Sequence, residues 1–259
     1  MVKILSLLAV TGFSAASFAT ALNLNDIKWP PYFFPRLEQA TPGLAKEILD
    51  ICITKQGYDI NYKSLPIKRT HVYMLSGELD ISVYSHKPER EKFVAYGKEP
   101  LFTSEYGFAS RADDKVEINS LRDLYKYRFG NLAGLSHTPE LASIIEDKRA
   151  NGQVNDGYDI DAMFGQLLAT PQRFEVMANS TATFYWRAEQ LGISDKVKIH
   201  DFVVAVKPYY LTISRSSPNI DNIQQFLDKF DQCLLDLKSS GQYQQILGKY
   251  GFTSPKNPE

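Results

Sequence analysis

The chain has 259 residues, 44% of them apolar, and its 29 Lys and Arg stand against 30 Asp and Glu. That apolar share at near-zero net charge excludes a disordered chain. The charge balance gives no overall attraction to nucleic acid or to an anionic membrane. The length suits one large domain or two lobes of about 100 residues each.

The first segment sets the compartment. Met1-Val2-Lys3 is followed by an uncharged run from Ile4 to Ala19 and then by Ala19-Thr20-Ala21. This is the positive n-region, apolar h-region and small-x-small cleavage site of a secretory signal peptide. The run is short for a membrane span and contains Thr11, Gly12, Ser14 and Ser17, and no cysteine stands at the cut for lipid attachment. Residues 1–21 therefore read as a signal peptide cleaved after Ala21, leaving a soluble exported chain that starts at Leu22.

Leu22–Ile27 is a strand candidate ending at the turn Trp29-Pro30-Pro31-Tyr32. Pro42-Gly43 opens an amphipathic helix from Leu44 to Lys55, Asp59–Lys63 alternates like a strand, and Thr70–Leu75 is helical as far as Ser76-Gly77. Leu79–Tyr84 is a strand. A second unit begins near Arg111, with a short helix Leu121–Tyr125 and a strand Tyr127–Leu132. Thr138-Pro139-Glu140 then starts a helix, with a cap and a proline at the first helical position. Arg173–Met177 is a strand, Thr183–Leu191 a helix, Val197–Val206 a long strand and Tyr209–Ser214 a further strand after Pro208. The chain ends in helices, Ile220–Leu237 and Tyr243–Tyr250, broken at Ser239-Ser240-Gly241. Such alternation predicts an α/β protein with a mainly parallel sheet. No flexible linker separates the units, so strands are expected to join them.

Cys52 and Cys233 both fall on apolar faces of predicted helices. In an oxidising compartment they are either a disulfide closing most of the chain or two buried thiols that never meet. The generic catalytic signatures fail. Gly134-Leu135-Ser136-His137-Thr138 has Thr where a nucleophile elbow needs its second Gly. The four histidines have no metal-ligand spacing, and no phosphate loop or dinucleotide fingerprint is present.

One ordered set of segments says more. Gly77-Glu78-Leu79-Asp80-Ile81 leads to Tyr84-Ser85, then to Lys87-Pro88-Glu89-Arg90, Phe93, Tyr96 and Pro100-Leu101-Phe102. With the Pro-Pro-Tyr turn, the Gly134 turn, the return strand Tyr209–Ser214 and the Gly-x-Tyr at Gly241–Tyr243, this resembles the polar-amino-acid (family 3) solute-binding proteins of bacterial ABC importers. The resemblance extends over the whole mature chain. It implies a two-lobed α/β fold of the periplasmic binding protein type (type II), with two hinge strands and a ligand cleft between the lobes. Lobe one would comprise residues 22–108 and 208–259, and lobe two residues 109–207. It further implies a periplasmic monomer that needs no cofactor and binds no nucleic acid. Its partners would be a small-molecule solute and an inner-membrane ABC permease.

The same resemblance assigns site residues. Arg90 matches the arginine that holds a ligand carboxylate, for which a guanidinium offers a planar two-pronged donor; otherwise it pairs with Glu89 or Asp80. Ser85, after Tyr84, matches the hydroxyl beside that arginine. Trp29 and Tyr32 match aromatics that pack on the ligand, or else they are core. Ser136 and His137 occupy a turn before a helix N-terminus, which favours an anion, or Ser136 only caps the helix. Departures from the family pattern are informative. Where lobe two usually offers an Asp to a ligand ammonium, the chain has Asn179 and Ser180, and Val83 replaces a common Gly. Arg69 is either a second cleft cation or solvent-exposed. Arg69 and Arg90 together would suit a ligand with two anionic groups, or an anion with no amine. Two alternatives share the scaffold. One is a cyclohexadienyl-dehydratase-like enzyme, with Glu175 as the candidate acid; the other is an orphan sensory protein that presents its ligand to a membrane receptor.

Overall fold

β1 (Thr20–Asn25) pairs in parallel with β2 (Tyr58–Lys63), with Leu22 opposite Ile60 and Leu24 opposite Tyr62. The structure, a computed structural model, describes residues 20–35 and 41–252; the proposed signal peptide lies outside these residues except for Thr20 and Ala21, which open β1. Between the two strands runs α1 (Leu44–Thr54), whose Leu44, Ile48, Leu49, Cys52 and Ile53 form one fully buried stripe at helical spacing. α2 (Ile67–Ser76) ends at Gly77, whose φ is 84° and where a Cβ would lie 2.2 Å from the Ser216 carbonyl oxygen. Only glycine fits both conditions. β3 (Ile81–Ser85) is buried along its whole length.

Asp80 is the node of this first unit. Its carboxylate is fully buried and accepts the Asn23 N–H at 2.8 Å, the Ser217 hydroxyl at 2.6 Å and the Asn219 amide at 3.1 Å. The acid of the Gly-x-x-Asp segment thus ties β1 to the returning chain. Hydrogen bonds to a charged group contribute about 1.5–3 kcal/mol each.

Two long strands carry the chain between the lobes. β4 (Val94–Arg111, 18 residues) and β9 (Ala205–Ser214) run antiparallel, from Val94 opposite Ser214 to Tyr106 opposite Ala205. Beyond that point β4 pairs with β7 (Val176–Ser180) and β8 (Val197–Ile199). With β5 (Phe129–Leu132) and β6 (Val154–Gly157) the sheet order is β2-β1-β3-β9-β4-β7-β5-β6, β8 lying beside β4. α3 (Pro139–Ala150), α4 (Ile160–Leu167) and α5 (Thr181–Gln190) belong to the second lobe. α6 (Ile223–Ser239) and α7 (Gln242–Lys249) pack back on the first. Two α/β lobes joined by strands is the expected architecture.

The details differ from the sequence reading where the crossing strands intervene. Every pairing that involves β4 or β9 is antiparallel, so the sheet is mixed rather than mainly parallel. Val197–Val206 is not one strand. The chain leaves the sheet after Ile199 and rejoins it at Ala205, with the His200 and Val204 N–H groups donating to β4 carbonyls on either side of the excursion. Pro208 does not separate two strands. β9 passes through it, opposite Thr103, at the cost of one donor. β4 itself, β6 and α4 escaped prediction. In β4 the register shifts between Tyr96 and Phe102, and Asp231 of α6 accepts the Lys98 and Glu99 N–H groups there at 2.9 and 3.2 Å. β7 starts three residues later than expected.

Lobe one is held by a large core that includes Tyr32, Phe33, Phe34, Phe102 and Phe230. A disulfide between Cys52 of α1 and Cys233 of α6 crosses it, closing a loop of 181 residues. Lobe two has two smaller clusters, one around Phe108, Phe129 and Ile144, the other around Phe164, Phe174 and Phe184.

Candidate functional site

The loops after β1 and β3 in one lobe face those after β5, β6 and β7 in the other, over the floor formed by β4 and β9. Carboxyl ends of strands are where open α/β sheets bind ligands. A cavity of about 560 Å³ lies there, walled by residues of both lobes.

Arg90 ends the short 3-10 turn Pro88–Arg90 that follows β3. Its Nη1 donates to the Ser85 carbonyl at 3.1 Å and its guanidinium lies 4.5 Å from the centre of the Tyr84 ring. It pairs with neither Glu89 nor Asp80, and among the described residues it has no carboxylate partner. Tyr84 and Ser85 line the cavity beside it, as does Val83. Burial pushes the Tyr84 hydroxyl up to about 12, with Ser82 and Arg90 opposing, and the hydroxyl is 2.9 Å from Nδ1 of His71.

Trp29 lines the cavity too. A short turn sets it there, in which the Tyr32 and Phe33 N–H groups donate to the Trp29 carbonyl. Its ring packs edge-on to Tyr209 at 4.8 Å and to Phe102 at 5.5 Å. Tyr32 is not on the wall. It is 1% exposed and stacks on Phe102 at 4.1 Å, one layer behind Trp29.

In lobe two, Ser136 lines the cavity and its carbonyl accepts Nζ of Lys207 at 2.7 Å. It does not cap α3. Thr138 does, accepting the Leu141 N–H. His137 turns away from the cavity. Its Nε2 donates at 3.0 Å to Oδ1 of Asn131, an atom that can only accept. Burial, then Lys207, push its pKa down to about 4. Asn179 is on the wall, 2% exposed, and its Oδ1 accepts the Ser180 N–H at 2.7 Å. Ser180 is not on the wall: fully buried, it accepts the Ser104 hydroxyl at 2.9 Å inside the sheet. Side chains alternate along a strand, so Asn179 and Ser180 cannot both face the cleft. Arg69 is also not on the wall. It is exposed on α2, one residue before the buried Thr70, and Pro66 and Ile67 line the cavity instead.

The sequence reading missed several wall residues. Tyr106 of β4 and Tyr209 of β9 line the cavity with their hydroxyls 2.7 Å apart. Behind the wall, Lys207 stands 4.8 Å from the centre of the Tyr106 ring; a lone cation between Val203–Val206 and Pro208 is its signal in the sequence. Lys28 and Asp159 line the cavity as well and form an ion pair across the lobes at 3.4 Å. Lys28 also reaches Asp161 at 3.0 Å, and Arg187 of α5 holds the other side of that carboxylate at 2.7 Å. Burial alone would raise Asp161, but Arg187 and Lys28 outweigh it and hold the carboxyl below its ordinary range. Thr183 completes the contact between the lobes, donating to the Pro30 carbonyl at 2.7 Å. Among the described residues no group of three or more His, Cys, Asp or Glu side chains is placed to hold a metal ion, and no helix is long and apolar enough to cross a membrane.

The family model of the bacterial extracellular solute-binding proteins, family 3, matches residues 24–253. The chain belongs to this family. A search of curated proteins finds no match. Among solved structures, an ancestral arginine-binding protein bound to arginine is similar with a TM-score of 0.74 at 19% identity, over 90% of this chain and 99% of that one. An arginine-binding protein mutant from T. maritima gives 0.73 at 17% identity, over 91% and 96%. A substrate-binding protein of an ABC uptake transporter from Streptococcus pneumoniae, with bound histidine, gives 0.71 at 15% identity, over 89% and 92%. These likenesses show the two-lobed fold. Glu175, the candidate acid of the enzymatic alternative, lies outside the cavity wall and accepts the backbone N–H and Nε of Arg128 at 2.6 and 2.9 Å.

Proposed function

We propose that this family 3 protein is a periplasmic receptor. It captures a small polar, carboxylate-bearing solute of amino-acid size and delivers it to an ABC permease without chemical change. In this reading the signal peptide is removed after Ala21, residues 22–108 with 208–259 form one lobe, and residues 109–207 form the other. The observation that carries it is Arg90, held over Tyr84 at the cavity wall with no carboxylate partner among the described residues. A half-buried guanidinium in that position is a docking point for an anion. The aromatic wall at Trp29 and Tyr209 supplies apolar contact, and hinge motion about the crossing strands would close the lobes on the ligand.

The test is a thermal-shift screen of the mature protein after unfolding and refolding to strip copurified ligand, with calorimetry on each hit. A ligand at a hundred times its dissociation constant adds about 2.7 kcal/mol of stability. Carboxylates are expected among the hits, and Arg90→Ala is expected to cost about 2–5 kcal/mol in binding them. Full affinity in Arg90→Ala, or turnover of a stabilising compound, would overturn the reading.

A further inference from the structure

Among the charged and amide groups on this wall, those without a protein partner of opposite kind are donors, Arg90 and the NH₂ of Asn179. Asn179 decides the question, because it is the side-chain amide on the lobe-two wall. The amide orientation is fixed by the Ser180 N–H, which can only donate and which Oδ1 accepts at 2.7 Å. That leaves the NH₂ group at the cavity wall, and it has no acceptor among the described residues. A ligand ammonium is itself donor-only and cannot satisfy it, whereas a carboxylate can.

Lys207 strengthens the pattern. Its ammonium spends one hydrogen on the Ser136 carbonyl and faces the Tyr106 ring, both parts of the wall. Among the described residues no carboxylate pairs with it. Burial, then Lys87 and Arg90, lower its pKa, which places it in the same positive field as Arg90. The carboxylates on the wall are already engaged. Asp26 takes the ammonium of Lys46, and Asp159 pairs with Lys28 while accepting the Asp161 and Ala162 N–H groups at the start of α4.

We infer that the cleft selects a ligand with two anionic groups and no ammonium, such as a small dicarboxylate. Arg90 takes one group, and the Asn179 NH₂ takes the other in the positive field of Lys207, which touches the wall residues Ser136 and Tyr106 from behind. This rests on the reading of Arg90 given above and adds the chemistry of the far end. It also replaces Arg69 with Lys207 as the second cation.

The experiment compares matched probes by calorimetry on the stripped mature protein: succinate and glutarate, L-aspartate and L-glutamate, and propionate. The first two pairs differ in the α-ammonium, and propionate lacks the second anion. Glutarate or succinate is expected to bind at least about tenfold more tightly than its amino-acid counterpart and than propionate. Lys207→Gln is expected to weaken the diacid about tenfold and leave propionate unchanged. Asn179→Asp, which supplies the missing acid, is expected to turn the preference toward L-glutamate. Tighter or equal binding of the amino acid by the wild-type protein would overturn this inference, as would equal binding of propionate. If Arg90→Ala still abolished that binding, the receptor reading would stand. Failure of every carboxylate to bind, with a hit in another class, would overturn both.

Discussion

Lobe one meets the cleft with interlocked aromatic rings, whereas lobe two meets it with the ends of short turns. Trp29 is braced by Tyr209 and Phe102, and Phe102 in turn by Tyr32, in a stack continuous with a core that a disulfide crosses. In lobe two the polar groups of the wall include Ser136, Asp159 and Asn179, each at a strand end or turn, above two smaller clusters. The aromatic part of the first wall therefore owes its position to burial of apolar area, and the polar part of the second to hydrogen bonds and charge. Damage to one should appear mainly as lost stability, and damage to the other mainly as changed recognition.

The largest effect is expected where the first wall joins its core. Trp29→Ala removes a ring packed on four others, Tyr32, Phe33, Phe102 and Tyr209, and should cost about 3–5 kcal/mol in a urea melt, besides weakening ligand binding. If only binding fell, the ring would be a contact surface and not part of the core. Replacing Cys52 and Cys233 together by Ser should cost about 2–5 kcal/mol, since the bond closes a 181-residue loop in the unfolded chain. Unchanged stability in the double variant would show that the α1–α6 contact holds without it.

A smaller effect is expected on changing pH. His137 in lobe two is pushed down to about 4 by burial and then by Lys207. Burial also lowers His71 and His200, helped by Arg90 and Lys87 in the first case and by Lys198 in the second. Between the ordinary histidine value and about 4 the unfolded chain binds a proton at position 137 that the folded chain refuses. Stability must then fall as pH falls through that window, by on the order of 2–3 kcal/mol for this residue. Melts recorded from pH 7 to pH 4.5 should show that slope, and His137→Gln should flatten it. An equal slope in the variant would assign the effect to other groups.

The fold was legible in the sequence because its helices and turns carry strong local signals. Gly77 must take a positive φ, Thr138-Pro139 is a cap followed by a first-turn proline, and Leu44 to Ile53 write a helical stripe. β4 was not legible, because Gly97 to Pro100 breaks the alternation and Asp231, 133 positions beyond Lys98, repairs it. The site divides the same way. Arg90, Ser85 and Trp29 follow from local motifs whose direction is set by the adjacent turn. Whether Asn179 or Ser180 faces the cleft depends on strand phase, and the phase of β7 is fixed by its pairing with Gly107 and Tyr106 on a strand that had not been read. Tyr32 and His137 were misplaced for a related reason, since motif position gives proximity to a site and not side-chain direction.

The smallest expected effect concerns the bond between the two walls. Lys28 belongs to lobe one, Asp159 and Asp161 to lobe two, and Arg187 fixes Asp161 from within its own lobe. The lysine side chain is 27% exposed and that of Asp161 26%, so solvent screens part of the attraction, and a pair of this kind contributes about 0.5–1 kcal/mol. A bridge that exists only when the lobes meet stabilises the closed arrangement by that amount and leaves each lobe's own folding unchanged. Lys28→Ala should therefore raise the dissociation constant by a factor of about two to five without moving the melting midpoint of the ligand-free protein. The loss should shrink at 1 M salt, where exposed charges are screened within about 3 Å. Small-angle scattering at half-saturating ligand should show a larger radius of gyration for the variant than for the wild-type protein. If the midpoint falls instead and affinity holds, Lys28 acts within its own lobe, and the division between a wall that folds and a wall that recognises is less complete than the contacts suggest.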